Sequence, residues 1–187
     1  MPTFYEGEPM EALEQTIRAE DYASAFYAAV STASLWNRRE IKAGICATLA
    51  VFCASIIPVY RMKFSTFFGP ICGILAFLGL AAVFFFLQPA DIKNGAKRAF
   101  ESNRLLALPQ KVRIYRDSIV VESERECFTE YWTDFARCVE IPGLVALVGG
   151  RERFLLIVKK DGLDAAHREM LSAFFADAFA SRYQKFG

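Results

Sequence analysis

Two long stretches without a charge, one directly after the other, limit this chain more than anything else in it. Residues 43–60 (AGICATLAVFCASIIPVY) and 64–90 (FSTFFGPICGILAFLGLAAVFFFLQPA) hold no Asp, Glu, Lys, Arg or His, and only Arg61, Met62 and Lys63 separate them. A bilayer core about 30 Å thick needs roughly 20 apolar helical residues to cross it. Each stretch is close to that length, and the break is a turn's worth of chain. The expectation is a helical hairpin that enters a membrane, turns and comes back. The first stretch is the weaker one. Its seven strongly apolar residues, Ile45 to Val59, give about −3 kcal/mol of insertion energy, and the thirteen from Phe67 to Leu87 give about −6 kcal/mol. Small residues recur at helical spacing in both: Ala43, Ala47, Ala50 and Ala54 in the first, Gly69, Gly73 and Ala76 in the second. Small residues let helix backbones approach in lipid, so these stripes are expected to face each other.

The flanks read differently. Residues 1–10 have no periodicity. Residues 11–37 read as helix, with Glu11, Glu14, Arg18, Glu20 and Asp21 early and Tyr22, Phe26, Val30 and Ala33 at helical spacing later. Trp36 stands just before Arg38, Arg39 and Lys42, a pairing that membrane interfaces select. The start, MPTFYEGEPM, lacks a basic segment followed by an apolar one, so no cleaved signal peptide is expected and the hairpin itself would target the chain. Gln88-Pro89 is expected to close the second span. Residues 91–107 read as a mostly polar connecting helix ended by Leu108-Pro109.

After Pro109 the apolar period drops to two. Val112 and Ile114 alternate with Lys111 and Arg113; Ile119 and Val121 follow; then come Cys127–Trp132, Phe135–Ile141, Leu144–Val148 and Phe154–Val158. Thr133-Asp134, Pro142-Gly143 and Gly149-Gly150 supply the turns. Short strands at this spacing mean an antiparallel meander. A last helix, from about Leu163 to Tyr183, carries Leu163, Ala166, Met170, Phe174 and Ala178 on one face, with Leu171, Phe175 and Phe179 beside it. The fold class is therefore an α+β membrane protein: a two-helix transmembrane hairpin, then a small antiparallel β domain capped by a C-terminal helix. The segments are 1–40 (amphipathic, helical), 41–90 (hairpin), 91–108 (connecting helix) and 109–187 (β domain and helix).

The order of these motifs resembles the YcxB-like membrane proteins of bacteria. The resemblance rests on Tyr115-Arg-Asp-Ser-Ile-Val-Val121, on Trp132-Thr-Asp-Phe-Ala-Arg-Cys-Val-Glu140, and on Ile157-Val-Lys-Lys160 before the last helix. It spans about Asp21 to Phe179. The family's Ile-Pro-Lys-Arg turn departs here, with Val158 in place of the proline. The resemblance implies a pleckstrin-homology-like barrel with one capping helix, and no known activity.

No grouping of residues points to catalysis, a cofactor or a metal. The one histidine, His167, lies with Asp161, Asp164 and Arg168 at a helix start, where acidic residues suit the helix dipole. Glu122, Glu124, Glu126 and Glu130 read as an alternating exposed strand face. Arg151, Arg153, Lys159 and Lys160 form a small basic group, read as solvated charges with anionic lipid as the alternative. Trp132 reads as a core anchor. Cys46, Cys53, Cys72, Cys127 and Cys138 have no metal-ligand spacing and read as small apolar residues; a Cys127–Cys138 bridge would stay reduced in the cytosol. A net charge of +1 gives no nucleic-acid signature. The function expected is a non-enzymatic membrane-anchored interaction or regulatory module, with the lipid bilayer and a membrane or cytosolic protein as partners. The alternative is an accessory subunit of a larger membrane complex such as an exporter. Six cations flank the outer ends of the spans (Arg38, Arg39, Lys42, Lys93, Lys97, Arg98) against Arg61 and Lys63 between them, which predicts a two-span protein of the cell membrane with both termini in the cytoplasm.

Overall fold

A computed structural model describes residues 7–59 and 64–186, without the side chains at 58, 59 and 64–67. The break at Arg61, Met62 and Lys63 lies outside the described residues. The chain divides into two compact units: Met1–Ala29 with Ala96–Gly187, and Val30–Gly95.

The first unit is α+β. Strands β1 (Glu11–Gln15), β2 (Gln110–Ile114), β3 (Ser118–Ser123) and β4 (Cys127–Tyr131) form one antiparallel sheet in the order β1-β2-β3-β4. Strands β5 (Arg137–Ile141), β6 (Leu144–Val148) and β7 (Leu155–Lys159) form a second, in the order β7-β6-β5-β8, where β8 (Tyr183–Lys185) joins β5 in parallel. The helix expected from residue 11 does not start there. Glu11–Gln15 is a strand, paired residue for residue with β2 (Leu13 opposite Val112, Gln15 opposite Gln110). Only Leu13 of this strand packs against the core, so the local sequence carries no alternation strong enough to announce it.

One core lies between the two sheets and under the C-terminal helix α5 (Ala165–Phe179). Val112, Ile114, Ile119 and Val121 face Val145, Leu147, Leu156 and Val158, with Leu171, Phe175 and Phe179 closing the end. The expected helix stripe is rotated: Met170 is exposed, Phe174 is half-buried, and Leu171, Phe175 and Phe179 are the buried line. A second core covers the other face of the β5–β7 sheet, where Val139, Ala146, Val148, Leu155 and Ile157 pack on Ile17, Ala25, Ala28, Ala29 and Phe100. Burial on both faces explains why β6 reads Leu-Val-Ala-Leu-Val without a polar position. It also places the alanines of helix α1 (Ala19–Ala33): they let the helix lie close on the sheet. Through Ala29, then, α1 is a core element of the β unit.

Trp132 sits between β4 and β5 and is buried. Its ring centroid lies 5.7 Å from those of Phe174 and Phe175 and 6.1 Å from that of Phe179, all edge-on. Its indole N–H donates to the carbonyls of Tyr115 (3.2 Å) and Arg116 (3.1 Å), so a large ring is buried without an orphaned donor. The expected core anchor is where the sequence placed it.

The second unit is helical. Helix α2 (Arg39–Val59) and helix α3 (Phe64–Ala82) lie against each other. A Cβ on Gly73 would stand 3.2 Å from the Cys53 sulfur. The seam uses Ala43, Cys46, Ala50, Cys53 and Ile57 on α2, at an average spacing near 3.5, while Ala47, Ala54 and Ala76 are exposed and a Cβ on Gly69 would meet nothing within 4 Å among the described residues. The two expected small stripes therefore share only Ala43, Ala50 and Gly73 with the observed seam. Nor does the second helix stop at Gln88-Pro89. One wide π turn, Val83–Leu87, carries α3 into α4 (Gln88–Ser102), with the Gln88 N–H bonded to the Val83 carbonyl. Proline has no N–H and its ring crowds the carbonyl four residues back. The extra residue in the turn absorbs that conflict, which is the common use of a π bulge. Among the described residues two helical stretches, Arg39–Ile57 and Phe68–Ser102, are long and apolar enough to cross a membrane, with mean hydropathy 1.8 and 2.5.

Candidate functional site

A cleft of the β unit is lined by a convergent group of polar side chains. About 610 Å³ in volume, it is lined by Glu140, Lys160, Arg168, Ser172, Tyr183 and Lys185 among others. Three elements supply the polar cluster: β5 gives Glu140, α5 gives Ser172 and β8 gives Tyr183. Lys160 follows β7 and is held by a turn. The turn between β5 and β6 needs Gly143 at φ 82°, and the Gly143 carbonyl accepts from the Lys160 amide at 2.8 Å. That fixes the backbone from which the lysine reaches inward.

Glu140 is the hub. Its Oε1 accepts from Lys160 Nζ (2.6 Å) and Ser172 Oγ (2.9 Å), and its Oε2 accepts from the Tyr183 hydroxyl. Burial pushes the Glu140 carboxyl up, but the Lys160, Tyr183 and Ser172 hydrogen bonds outweigh it and hold the group below the ordinary glutamate value. Burial and the Glu140 carboxylate raise the Tyr183 phenol strongly. The buried Cys138 thiol, on the same strand, is raised as well, by burial first and by Glu140 second. Ser172 Oγ also lies 3.2 Å from Lys160 Nζ. These are the residue types of a serine–lysine nucleophile pair, but that chemistry needs an amine free to take a proton. Here the amine is joined to a carboxylate at 2.6 Å, and Ser172 has a further acceptor in the Arg168 carbonyl at 2.9 Å. The geometry is that of an ion pair tying α5 and β8 to β5, with Arg168 and Lys185 on the cleft wall.

The acidic residues of β3, β4 and the turn between them do not form one exposed face. Glu124 is exposed, Glu122 pairs with Arg113, and Glu126 pairs with Arg153. Glu130 is fully buried. Its Oε1 accepts the backbone N–H groups of Glu152 (2.5 Å) and Arg153 (3.1 Å), and its Oε2 has no hydrogen-bond partner among the described residues. Burial above all raises its pKa, with Asp134 and Glu152 adding to the effect. The expected basic group is dispersed too. Lys160 points to Glu140, Lys159 bonds Asp21 at 2.8 Å, Arg153 serves Glu126, and Arg151 remains exposed. Asp164 caps α5 by accepting the His167 amide at 2.8 Å, and the exposed His167 ring is raised by Asp164 and Glu11. Cys127 is exposed, Cys138 is buried, and both are free thiols. Glu140, Ser172 and Tyr183 were not legible as a group, because 32 and 43 positions separate them from the hub. The one sequence signal was a carboxylate, Glu140, set between Val139 and Ile141 in the strand.

No family model, curated protein or solved structure matches the chain.

Proposed function

We propose that this chain is a non-enzymatic, membrane-anchored interaction or regulatory module, in which α2 and α3 form a two-span transmembrane hairpin and the β unit stands in the cytoplasm. One observation carries the reading. Strand β1 precedes the apolar pair and β2 follows it, and the two pair along their full length, from Glu11 with Ile114 to Gln15 with Gln110. Segments on either side of the apolar pair thus belong to one small folded unit, which a bilayer cannot divide. An even number of crossings satisfies this, and two candidate spans lie between them. The cations at Arg38, Arg39 and Lys42 and at Lys93 favour the cytoplasmic side for that unit.

The β unit is of pleckstrin-homology type in this reading, as the resemblance to YcxB-like proteins implies. A four-stranded meander, a three-stranded meander and a helix over the open end support it. Strand β8 and the long excursion between β1 and β2 would be additions to that plan. The closed Glu140–Lys160 pair supports binding over catalysis at the cleft.

Cysteine labelling tests the reading. In a cysteine-free background, Ser65→Cys reacts with a membrane-impermeant maleimide in whole cells, and Ser181→Cys reacts only after lysis. The reverse pattern overturns the orientation. Labelling of both sites in whole cells overturns the hairpin. A stoichiometric integral protein retained in mild detergent would instead favour an accessory subunit.

A further inference from the structure

We infer that the corner formed by Leu35–Lys42, with Phe84 and Phe85 beside it, is a seat for the phosphate of an anionic phospholipid. The inference rests on the bilayer reading above and adds the identity of the lipid. Ser34 caps a single 3-10 turn, Leu35–Asn37, its hydroxyl accepting the Trp36 amide at 3.3 Å. The turn leaves Leu35 and Trp36 64% and 68% exposed, immediately before an apolar helix. An exposed indole at this position belongs at the headgroup level of a bilayer.

The cations next to it are placed by the π turn. Arg39 lies over the Phe85 ring, 4.8 Å from its centroid, and Lys42 lies over the Phe84 ring at 5.6 Å. Lys42 also donates to Gln88 Oε1 at 3.3 Å. That partner is neutral and so is the ring, so neither cancels the lysine's charge. The ammonium has three donors, and the Gln88 bond uses one of them. Arg39 is partly neutralised by Glu40 at 2.8 Å. Arg38 is exposed and adjoins the turn. The result is an exposed indole beside three cations, Arg38, Arg39 and Lys42, and one carboxylate, Glu40, which interacts with both arginines, so positive charge is in excess by two among these four side chains at one end of the apolar helices. A phosphodiester with no ammonium of its own fits this corner. A zwitterionic lipid brings a competing cation.

The test uses the full chain in phosphatidylcholine nanodiscs, with and without phosphatidylglycerol. Trp36 fluorescence is quenched by bromine on the acyl chains of either lipid, while Trp132 is buried in the β unit and supplies a constant background. Local enrichment of the anionic lipid is expected at about fivefold per cation. Brominated phosphatidylglycerol should therefore quench more than brominated phosphatidylcholine at equal mole fraction. The preference should vanish in R38Q/K42Q and return in R38K/K42R. Equal quenching by both lipids in the parent chain overturns the proposal, as does a preference that survives R38Q/K42Q. A chain that fails to float with vesicles of either composition overturns the bilayer reading and this site together. One that floats without preference overturns this site alone.

Discussion

Gln15 and Lys159 hold the two sheets together: the Lys159 amide donates to Gln15 Oε1 at 2.8 Å, across 144 positions. The other end of the same side chain donates through Nε2 to the Ile157 carbonyl at 2.7 Å. Gln15 is buried at the end of β1, and β7 is the edge of its sheet. One primary amide thus satisfies a donor and an acceptor that a missing strand would otherwise have to meet. Gln15→Leu leaves both groups unpaired in a buried place and should cost roughly 2–5 kcal/mol. Glu14→Ala, next door, removes only an exposed pair with Lys111 and should cost less than about 1 kcal/mol. Denaturant melts of the two variants in one detergent check the difference.

Glu140 should make the fold acid-sensitive. Its carboxyl is held below the unfolded value, so the stabilisation is present above the ordinary glutamate range and is lost as pH falls through the folded pKa. Glu140→Gln should lose roughly 3–5 kcal/mol at pH 7, since it leaves the buried Lys160 ammonium without its carboxylate. The variant should also show a flatter acid limb. A melt series from pH 7 to acid reads both.

Glu130 should behave with the opposite sign. Its pKa is raised, so its contribution is greatest below the unfolded value and falls away as pH rises through the folded one. Glu130→Gln keeps an acceptor for the Glu152 and Arg153 amides and removes a buried charge. The melting temperature at pH 7 should hold or rise. Glu130→Ala removes the acceptor and should cost about 1–3 kcal/mol. If the glutamine variant falls as far as the alanine one, the neutral acceptor is not enough.

Phe175 should matter more than Phe174. Phe175 is fully buried between Trp132 and Phe179, while Phe174 lies half-buried on the flank. Phe175→Ala should cost about 3–5 kcal/mol and Phe174→Ala clearly less. Near-ultraviolet circular dichroism of Trp132 gives an independent signal of the same packing.

Gly73 and Gly69 separate the observed helix seam from the one expected. Gly73→Leu forces its side chain toward Cys53, and Gly69→Leu meets no neighbour among the described residues. Thermal stability in detergent should drop for the first and stay level for the second. Equal losses would return the contact to the Gly69, Gly73 and Ala76 face.

Where the sequence carried its own periodicity, it was readable. Leu144–Val148 is a strand with the bounds its apolar run suggested, and both spanning candidates follow from uncharged length. What escaped was structure specified from far away. Glu11–Gln15 contains good helix formers and is made a strand by a partner near residue 112. Tyr183–Lys185 follows a helix and is made a strand by β5. Pro89 reads as a stop and is instead carried through by a wide turn. The Glu140 cluster depends on those same long-range pairings, so it could not be seen before them.

The pairing of β1 with β2 also sets a clock. A ribosome adds about 5–20 residues per second, and roughly 95 residues separate Gln15 from its partner Gln110. The first strand therefore emerges and waits for something like 5–20 s before its neighbour exists. Throughout that interval the β unit cannot close, and the apolar segment is made while its flanks are still unfolded. Synthesis itself thus orders the events, with delivery of the apolar segment first and assembly of the domain second.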